Sequence, residues 1–336
     1  MKGFFRKPKR FGFFYGLFLA AATAYVLLDT FVIPSGQVVV TNTAQAATSS
    51  ASSTGSTSSG STSSGTTSGS STSGSTSSDS SSGTTSTTTS GTASGTYTDT
   101  TYKDDNISIT ITTTREYDTN IYIVDIQVSD VAYLKTAFAK STFGRNIKET
   151  TSTMAENNNA ILAINGDYYG FRNAGYVLRN GVLYRSTSNS NDDLVLESDG
   201  TMKIVNEDEV TADELESEGD LQVWSFGPAL VNNGSITVSE NAEVSQSKTS
   251  NPRTAIGMIS PLHYVIVVSD GRTSDNAGLT LYELAEVFKA QGATVAYNLD
   301  GGGSTTLWFN GQVINNPTDG NSSGERKVSD IVYIGY

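Results

Sequence analysis

The chain is organised around residues 299–308, LDGGGSTTLW, in which three consecutive glycines lie between two apolar segments. Glycine loses more conformational freedom on folding than any other residue, so a run of three inside a domain indicates a backbone that must approach another group closely. Residues 294–299 predict a strand that delivers Asp300 and the glycines, and residues 305–309 predict another strand. We therefore expect a tight connection with a neighbour beside it.

A helix precedes this stretch. Between residues 280 and 291, apolar side chains recur at helical spacing, Thr280 and Glu283 form a capping-box signature, and Gly292 is suited to end the helix. A strand at 264–268, this helix and the strand at 294–299 follow one another along the chain. That order predicts at least one parallel pair of strands.

The rest of residues 97–336 is rich in strand signals. Residues 107–111 and 120–128 alternate at strand period, residues 160–164, 223–231 and 251–259 are short apolar runs, and Asn-Gly and Asp-Gly pairs at 180–181 and 199–200 predict hairpins. Residues 147–157 and 207–220 predict short helices, the second capped by Thr211. The expected fold class is mixed α/β (α+β): a mixed, largely antiparallel sheet with a few packed helices, in one globular domain.

The N-terminal third has a different organisation. Residues 1–10 carry five cations, and residues 11–33 are apolar enough to predict a transmembrane anchor. The positive-inside rule then places residues 1–10 in the cytoplasm and the rest outside the cell. Residues 34–96, which are rich in Ser, Thr and Gly, predict a flexible linker to the domain of residues 97–336. The alternative is a cleaved signal peptide, with a small-residue cleavage site at residues 44–46.

Composition excludes several classes of function. The chain has no cysteine, which excludes disulfides and Cys-ligated zinc, and its one histidine, His263, excludes a two-histidine zinc site. A Ser-His-Asp triad would depend on His263, which lies in a predicted turn between strands. With 21 basic and 34 acidic residues the net charge is -13, which disfavours binding to nucleic acid.

Carboxylates are therefore the candidate acid and base groups. Asp167 in NGDYYG (residues 165–170) and Asp300 before the glycines both follow predicted strands, where sites on sheets commonly lie. A pair of carboxylates is the usual equipment for cleaving a glycosidic bond. The adjacent Tyr168 and Tyr169 suit either stacking on a sugar or a place in the core.

The glycine stretch also has features of a phosphate site. Backbone N–H groups without a nearby Cβ can converge on an anion. The stretch lacks the lysine of a nucleotide-binding P-loop and leads into a strand rather than a helix. Arg253 and Arg326 lie at the edges of predicted strands and are suited to hold phosphate bidentately. Close packing of the glycines on a neighbour, without a ligand, is the structural alternative.

Four motifs, in this order, resemble the phosphodiester glycosidase family. They are AINGDYY (163–169), PRTAIG (252–257), NLDGGGSTT (298–306) and ERKVSD (325–330). The resemblance covers roughly residues 121–336. It implies the family's mixed α/β fold and hydrolysis of a sugar-1-phosphodiester to a free sugar and a phosphomonoester.

For this reaction, the chemistry of the groups in these motifs gives a hypothesis about the roles of particular residues. Asp167 and Asp300 would act at the anomeric carbon, and which of them is acid, base or nucleophile stays open. The residues expected to bind substrate or phosphate are Asn165, Gly166, Arg253, Thr254, Gly301, Gly302, Gly303, Ser304, Thr305, Glu325 and Arg326. No cofactor is expected to be required, although carboxylates also suit a divalent cation.

The resulting hypothesis is an exported, membrane-anchored hydrolase that cleaves a sugar-1-phosphodiester in an envelope or extracellular polysaccharide. Its expected partners are a glycopolymer substrate and the membrane, not nucleic acid. One alternative is a non-catalytic module that binds an anionic cell-envelope glycopolymer through the same loop. A structural wall-associated protein, whose glycines serve packing only, is a third.

Overall fold

The computed structural model of the protein describes residues 8–31, 34–40, 95–243, 250–320 and 322–336. Elements are numbered along the chain. The folded domain belongs to a compact unit formed by Met1–Val40 and Ser86–Tyr336. A second unit, Thr41–Thr85, lies outside the described residues, as does most of the predicted linker.

Among the described residues, nine strands form the largest sheet, and all of its pairings are antiparallel. In spatial order they are β15 (Ser235–Ile236), β14 (Ala229–Asn232), β18 (Val295–Asn298), β16 (Arg253–Ser260), β17 (His263–Ser269), β5 (Thr119–Val128), β4 (Ile107–Glu116), β3 (Thr101–Lys103) and β2 (Thr96–Tyr97). The β4–β5 hairpin closes through Tyr117 and Asp118, which both have positive φ, as a two-residue turn with matching twist requires.

Two antiparallel sheets of five strands complete the framework. The first five-stranded sheet contains, in spatial order, β10 (Val182–Arg185), β9 (Val177–Arg179), β13 (Gln222–Trp224), β11 (Asp192–Leu196) and β12 (Met202–Asn206). The second contains β20 (Gln312–Val313), β19 (Leu307–Phe309), β8 (Leu162–Asn165), β23 (Asp330–Ile334) and β6 (Leu134–Phe138).

Shorter elements fill the connections. Two-stranded pairs are formed by β1 (Ser35–Val39) with β7 (Thr142–Arg145) and by β21 (Thr318–Asp319) with β22 (Ser322–Ser323). The α-helices are α1 (Pro8–Phe31), α2 (Thr151–Asn157), α3 (Ala212–Glu218) and α4 (Leu281–Ala290). Single 3-10 turns occupy Val131–Tyr133, Ala139–Ser141, Tyr169–Phe171 and Gly302–Ser304.

The alternation of apolar residues explains how these layers pack. On β4 and β5, Ile109 and Ile126 face the main core, which the nine-stranded sheet shares with Trp224 of the first five-stranded sheet and Ile164 of the second. The opposite face of the nine-stranded sheet is covered by the apolar face of α4. Helices α3 and α2 cover the outer faces of the first and second five-stranded sheets. The candidate site residues lie in turns that follow strands of these sheets: Asp167 follows β8, and Asp300 follows β18.

Most sequence predictions of elements are confirmed, with three corrections. No described pairing is parallel: β17 and β18 run in the same direction, but β16 lies between them and pairs with both. The predicted strand at 223–231 is two strands, because the chain passes from the first five-stranded sheet to the nine-stranded sheet after Trp224. Helix α2 starts later than predicted, since Thr150 is its N-cap. Thr211 and Thr280 cap α3 and α4 as predicted, and each forms a complete capping box.

The N-terminal predictions are only partly covered. Helix α1 overlaps the predicted anchor at residues 11–33 and has 24 residues. Across the described ranges, no helix combines the length and the hydropathy needed to cross a membrane. The first residues of the predicted linker form β1, which pairs with β7. The transmembrane anchor and the flexible linker both stay predictions.

Candidate active site

Three of the four sequence motifs converge through one buried asparagine. Asn165, at the end of β8, donates through Nδ2 to the carbonyl of Asp300 at 2.6 Å. Its Oδ1 accepts from the Thr254 hydroxyl at 2.8 Å and from the Thr306 backbone at 3.2 Å. The carbonyl of Gly166 accepts from the Asp300 N–H at 3.3 Å. Asn165 and Thr254, which are both fully buried, thus hold the glycine stretch in position.

A fully buried arginine joins two aspartates. Nη2 of Arg179, the last residue of β9, lies 2.8 Å from Oδ2 of Asp167 and 3.0 Å from Oδ2 of Asp330, and all three side chains are at most 1% exposed. Nη1 of Arg179 also donates to the carbonyls of Leu178 and Val223. Burial and the charge of Asp167 raise the pKa of Asp330, while Arg179 opposes the rise. Arg179 therefore neutralises a carboxyl pair that would otherwise repel.

Asp167 is fixed by donors on both of its oxygens. Oδ1 accepts from the backbone N–H of Tyr169 at 3.0 Å. Oδ2 accepts from the Ser225 N–H at 3.2 Å as well as from Arg179. These three hydrogen bonds hold the carboxyl group of Asp167 in one orientation.

Glycine is required where the motifs touch. A Cβ on Gly166 would collide with the carboxyl group of Asp330, so this position allows the two segments to pack directly. Gly302 has φ +62, a conformation that side chains rarely adopt, and a Cβ there would lie 2.7 Å from Nη2 of Arg272. The neighbours expected beside the glycines are therefore charged side chains.

Asp300 has the environment of an acid–base group. The residue is partly accessible in the wall of a cavity, but its carboxyl group is enclosed by protein. Burial raises its pKa to about 6, while a hydrogen bond from Ser304 and the charge of Arg326 limit the rise. A pKa near the working pH is the condition under which a carboxyl group exchanges protons most usefully in catalysis.

A cavity of about 280 Å³ brings the predicted groups together. Its lining includes Asp167, Asp300, Ser304 and Arg326, with Tyr168 on the wall. We call it the catalytic cavity. Lys148 and Lys327 also line it, so with Arg326 three cations face three acids, since Asp319 lines the cavity as well. These three cations are available to an anionic substrate group.

The two arginines of the predicted clamp occupy different places. Arg326 lines the catalytic cavity and is held by Asp319, whose Oδ1 accepts from Nε at 3.0 Å and from Nη2 at 2.6 Å. Arg253 is buried beside Gly301 and donates through Nε to the carbonyl of Leu279 at 2.9 Å. Burial and then the charge of Arg272 lower the pKa of Arg253 to about 10. Arg253 does not line the catalytic cavity.

The glycine backbone is largely engaged within the protein. Gly302 donates to the carbonyl of Pro252 at 2.8 Å, and the N–H groups of Ser304 and Thr305 close the turn by donating to Gly301 and Gly302. A Cβ on Gly303 would lie 2.6 Å from Nη2 of Arg326. The stretch therefore packs against arginines, while Ser304 and the Asp300 side chain face the cavity.

Of the remaining predicted residues, one lines the cavity and the others lie elsewhere in the domain. Tyr168 lines the catalytic cavity and stacks on Phe171, with ring centroids 4.6 Å apart. Tyr169 is buried against Phe138 and Phe143 and belongs to the core. Glu325 accepts from the backbone N–H of Ser152 at 2.9 Å, so its carboxylate lies at the start of α2 rather than in the cavity.

Sequence reasoning missed Arg179, Asp330 and Arg172. A signal was present for the first two, since each is a charged residue within an apolar strand, the same feature that singled out Arg253. Arg172 gave no such signal. Its guanidinium lies 5.9 Å from the ring centroid of Tyr168 and 4.8 Å from that of Phe226. Over the residues that are described, no group of three or more acidic or histidine side chains is arranged to hold a metal ion.

Comparison with known proteins gives a family model and several relatives. Residues 158–335 match a family model described as phosphodiester glycosidase. The chain is 34% identical over 201 residues to the SPbeta prophage-derived uncharacterized protein YomE of Bacillus subtilis, covering 57% of this chain and 30% of that protein. It is 31% identical over 211 residues to human N-acetylglucosamine-1-phosphodiester alpha-N-acetylglucosaminidase, covering 56% of this chain and 40% of the enzyme. The matches thus span less than half the length of these relatives.

Solved structures share the fold. The catalytic domain of zebrafish N-acetylglucosamine-1-phosphodiester alpha-N-acetylglucosaminidase, auto-inhibited by its pro-peptide, aligns with a TM-score of 0.56 at 21% identity, covering 68% of this chain and 83% of that domain. A hypothetical protein from Synechocystis aligns with a TM-score of 0.54 at 14% identity, covering 68% of this chain and 62% of the other. The family match covers more than half of this chain, including all four motifs. The chain therefore belongs to the phosphodiester glycosidase family.

Proposed function

We propose that the protein is a hydrolase that cleaves sugar-1-phosphodiesters at the bond between the anomeric carbon and oxygen. Family membership supports a hydrolase activity on phosphodiester-linked sugars. The observation that carries the proposal is that Asp167, Asp300 and Arg326, far apart in sequence, line one cavity together with Lys148 and Lys327. Convergence of this kind favours an active site over a packing motif.

The environments of the two aspartates support different roles for them. Asp300, with its pKa raised to about 6, is the group that takes a proton from the attacking water. Asp167, fixed by Arg179 and two backbone donors, stabilises positive charge developing at the anomeric carbon. Arg326 holds the phosphate oxygens. A phosphomonoester leaves as an anion, so the leaving group needs charge neutralisation more than protonation.

The reaction balances as a hydrolysis. Water oxygen forms a bond to the anomeric carbon, the bond from that carbon to the phosphate oxygen breaks, and the leaving group departs as a phosphomonoester. One proton of the water passes to Asp300 and then to solvent. The products are a free sugar and the phosphomonoester.

Isotope labelling tests the proposal directly. The full chain is incubated with the methyl phosphodiester of N-acetyl-α-glucosamine 1-phosphate in ¹⁸O-water, and both products are examined by mass spectrometry. We expect the label in the sugar, since the carbon–oxygen bond breaks. Label in methyl phosphate would identify a phosphodiesterase instead. Binding of the diester without turnover would favour the glycopolymer-binding module.

The pH dependence of kcat/KM provides a further prediction. Burial raises the pKa of Asp300 to about 6, and only its ionised form accepts a proton from water. Below that pH, kcat/KM should therefore fall about tenfold per pH unit, and above it kcat/KM should level off. Initial rates between pH 4 and pH 8 on the same diester measure the profile. A rate that falls as pH rises through 6 would contradict the role of Asp300 as the base.

Arg326→Ala should lower kcat/KM by roughly 10- to 100-fold, the effect of losing hydrogen bonds to a charged group. Removing this guanidinium also removes a charge that lowers the pKa of Asp300, so the acidic limb of the profile should move to higher pH. Arg115→Ala is the matched control, because Arg115 is exposed and bonds to Asn120 and Asn276 outside the cavity. If Arg326→Ala and the control have the same pH profile of kcat/KM, Arg326 does not contact the substrate.

We further propose that the enzyme is exported and anchored in the cell membrane, with a polysaccharide of the envelope or extracellular matrix as substrate. The cations of residues 1–10, the apolar segment at 11–33 and the Ser/Thr/Gly-rich segment at 34–96 support this location. Protease treatment of intact cells tests it: the domain of residues 97–336 should be cleaved from outside. Protection of the domain until the cells are lysed would contradict the proposed orientation.

A further inference from the structure

A second cavity lies beside the catalytic cavity and is larger, at about 730 Å³, within the usual range of ligand sites. Its lining includes Arg172, Asn173, Asn189, Asn191, Asn206 and Phe226. We call it the amide cavity. None of its lining residues lines the catalytic cavity, but Arg172 contacts the ring of Tyr168, which does. The two cavities are therefore neighbours, and the side chains of Arg172 and Tyr168 lie between them.

The chemistry of the amide cavity differs from that of the catalytic cavity. A carboxamide offers donors and an acceptor together, as a sugar hydroxyl does, so several amides suit a ligand rich in hydroxyl groups. The side chains of Asn173 and Asn189 are exposed to the cavity. The charged lining residues are Arg172, Asp192 and Glu243, which leave no positive excess. The cavity thus favours a neutral polar ligand over an anion.

The cavity also has an aromatic wall. The guanidinium of Arg172 lies over the ring of Phe226, 4.8 Å from its centroid, and Nη1 of Arg172 donates to the carbonyl of Ser225 at 3.2 Å. Phe226 is partly exposed and lines the cavity. A flat apolar surface beside hydrogen-bonding amides matches a pyranose ring, which has an apolar face and a polar edge.

A buried carboxylate holds this wall in place. Glu207, 4% exposed, accepts from the backbone N–H groups of Asn189 and Asn191 and from the hydroxyl of Ser225, the residue before Phe226. Burial disfavours its charge, but hydrogen bonds from the backbone of Asn189 and Tyr176 and from the hydroxyl of Ser225 hold its pKa below the ordinary value. Tyr297 ties the same region together, since its hydroxyl accepts from the Phe226 N–H at 2.9 Å and donates to the carbonyl of Asp192 at 2.7 Å. The lining is thus organised before any ligand binds, which lowers the entropic cost of binding.

We propose that the amide cavity is a carbohydrate subsite that binds a neutral pyranose oligosaccharide, the part of a glycan chain lying beyond the phosphodiester that is cleaved. The role of this subsite in positioning a substrate rests on the proposed function. Binding of the oligosaccharide does not depend on it. It identifies the substrate as a polymer rather than a single phosphorylated sugar.

Calorimetry on the full chain tests the subsite. The probes are maltotetraose, cellotetraose and tetra-N-acetylchitotetraose, each titrated at millimolar concentration. We expect at least one to bind, and we expect Asn189→Ala to weaken that binding about fivefold and Phe226→Ala about tenfold or more. Asn157→Ala, an exposed asparagine at the end of α2, is the matched control and should leave the affinity unchanged. Binding of none of the three, or equal affinity in Asn189→Ala and wild type, would overturn the proposal.

Competition separates this proposal from the proposed function. Saturating methyl phosphate, the expected product of the catalytic cavity, should leave tetrasaccharide binding in place, because the two ligands occupy different cavities. Displacement would put the tetrasaccharide in the catalytic cavity and overturn the subsite. If the wild-type chain binds the tetrasaccharide yet never hydrolyses the methyl diester, the proposed function fails while the subsite stands. Hydrolysis without tetrasaccharide binding would overturn the subsite and leave the proposed function in place.

Discussion

Asp300→Asn is expected to lower kcat on a sugar-1-phosphodiester by about 10²- to 10⁴-fold, the usual contribution of a general base. Asparagine keeps the size of the side chain but cannot accept a proton from water. The affinity for substrate should change much less, since Arg326 and the rest of the cavity lining remain. Initial rates and KM at pH 7 measure both quantities. Asp275→Asn, an exposed aspartate outside the cavity, is the matched control.

The stability of the same variant provides an independent check. The folded state raises the pKa of Asp300 from 3.8 to about 6, so this group favours folding below about pH 4, and that contribution is lost as pH rises through about 6. At pH 7 the ionised carboxylate of the wild-type protein therefore destabilises the folded state. Asp300→Asn removes the buried charge and should unfold at the same temperature as wild type or higher. Full turnover in this variant would remove Asp300 from the mechanism, and a large loss of stability would show that the side chain is structural.

Arg179→Met is expected to lower the free energy of unfolding by about 3 to 5 kcal/mol, because it leaves the buried carboxyl groups of Asp167 and Asp330 without their cation. The methionine side chain is of similar length, so loss of charge rather than of volume dominates. Urea denaturation of wild type and variant measures the difference. The variant should also lose activity, since Arg179 orients Asp167 in the wall of the catalytic cavity.

Asp330→Asn is the control for that experiment. Burial and the neighbouring charge of Asp167 raise the pKa of Asp330, so a neutral amide resembles the state that the fold already favours. We expect this variant to lose much less stability than Arg179→Met. If both variants are equally destabilised, the hydrogen bonds from Arg179 to Asp330 contribute as much to stability as the contact with Asp167. If Arg179→Met is as stable as wild type, the arginine does not neutralise the cluster.

Local signals in the sequence were sufficient for most elements. The alternation in β4 and β5 appears in the printed chain, and so do the Asn-Gly turn between β9 and β10 and the capping box of α4. These features depend on neighbours within a few residues, which is why pattern reasoning finds them. The prediction of a parallel pair was wrong because it concerned segments that are distant in sequence. Whether β16 lies between β17 and β18 depends on contacts between segments distant in sequence.

The candidate site divides in the same way. Asp167 and Asp300 were identifiable because each follows a strand in unusual surroundings, and both line the catalytic cavity. Arg253 and Arg326 looked equivalent in sequence, yet only Arg326 reaches that cavity. Tyr168 and Tyr169 are adjacent in sequence, but the 3-10 turn at Tyr169–Phe171 directs one to the cavity and leaves the other in the core.

The sequence by itself determined the kinds of groups available: carboxylates rather than histidine or cysteine, arginines in an acidic chain, and glycines where the backbone needs a close neighbour. Composition and short motifs carry that information, because residue type sets the chemistry. Only the tertiary structure decided which groups meet. The Asp167–Arg179–Asp330 cluster, the pKa of Asp300 and the amide cavity all depend on burial and distance, and these arise when the ends of three sheets are packed together.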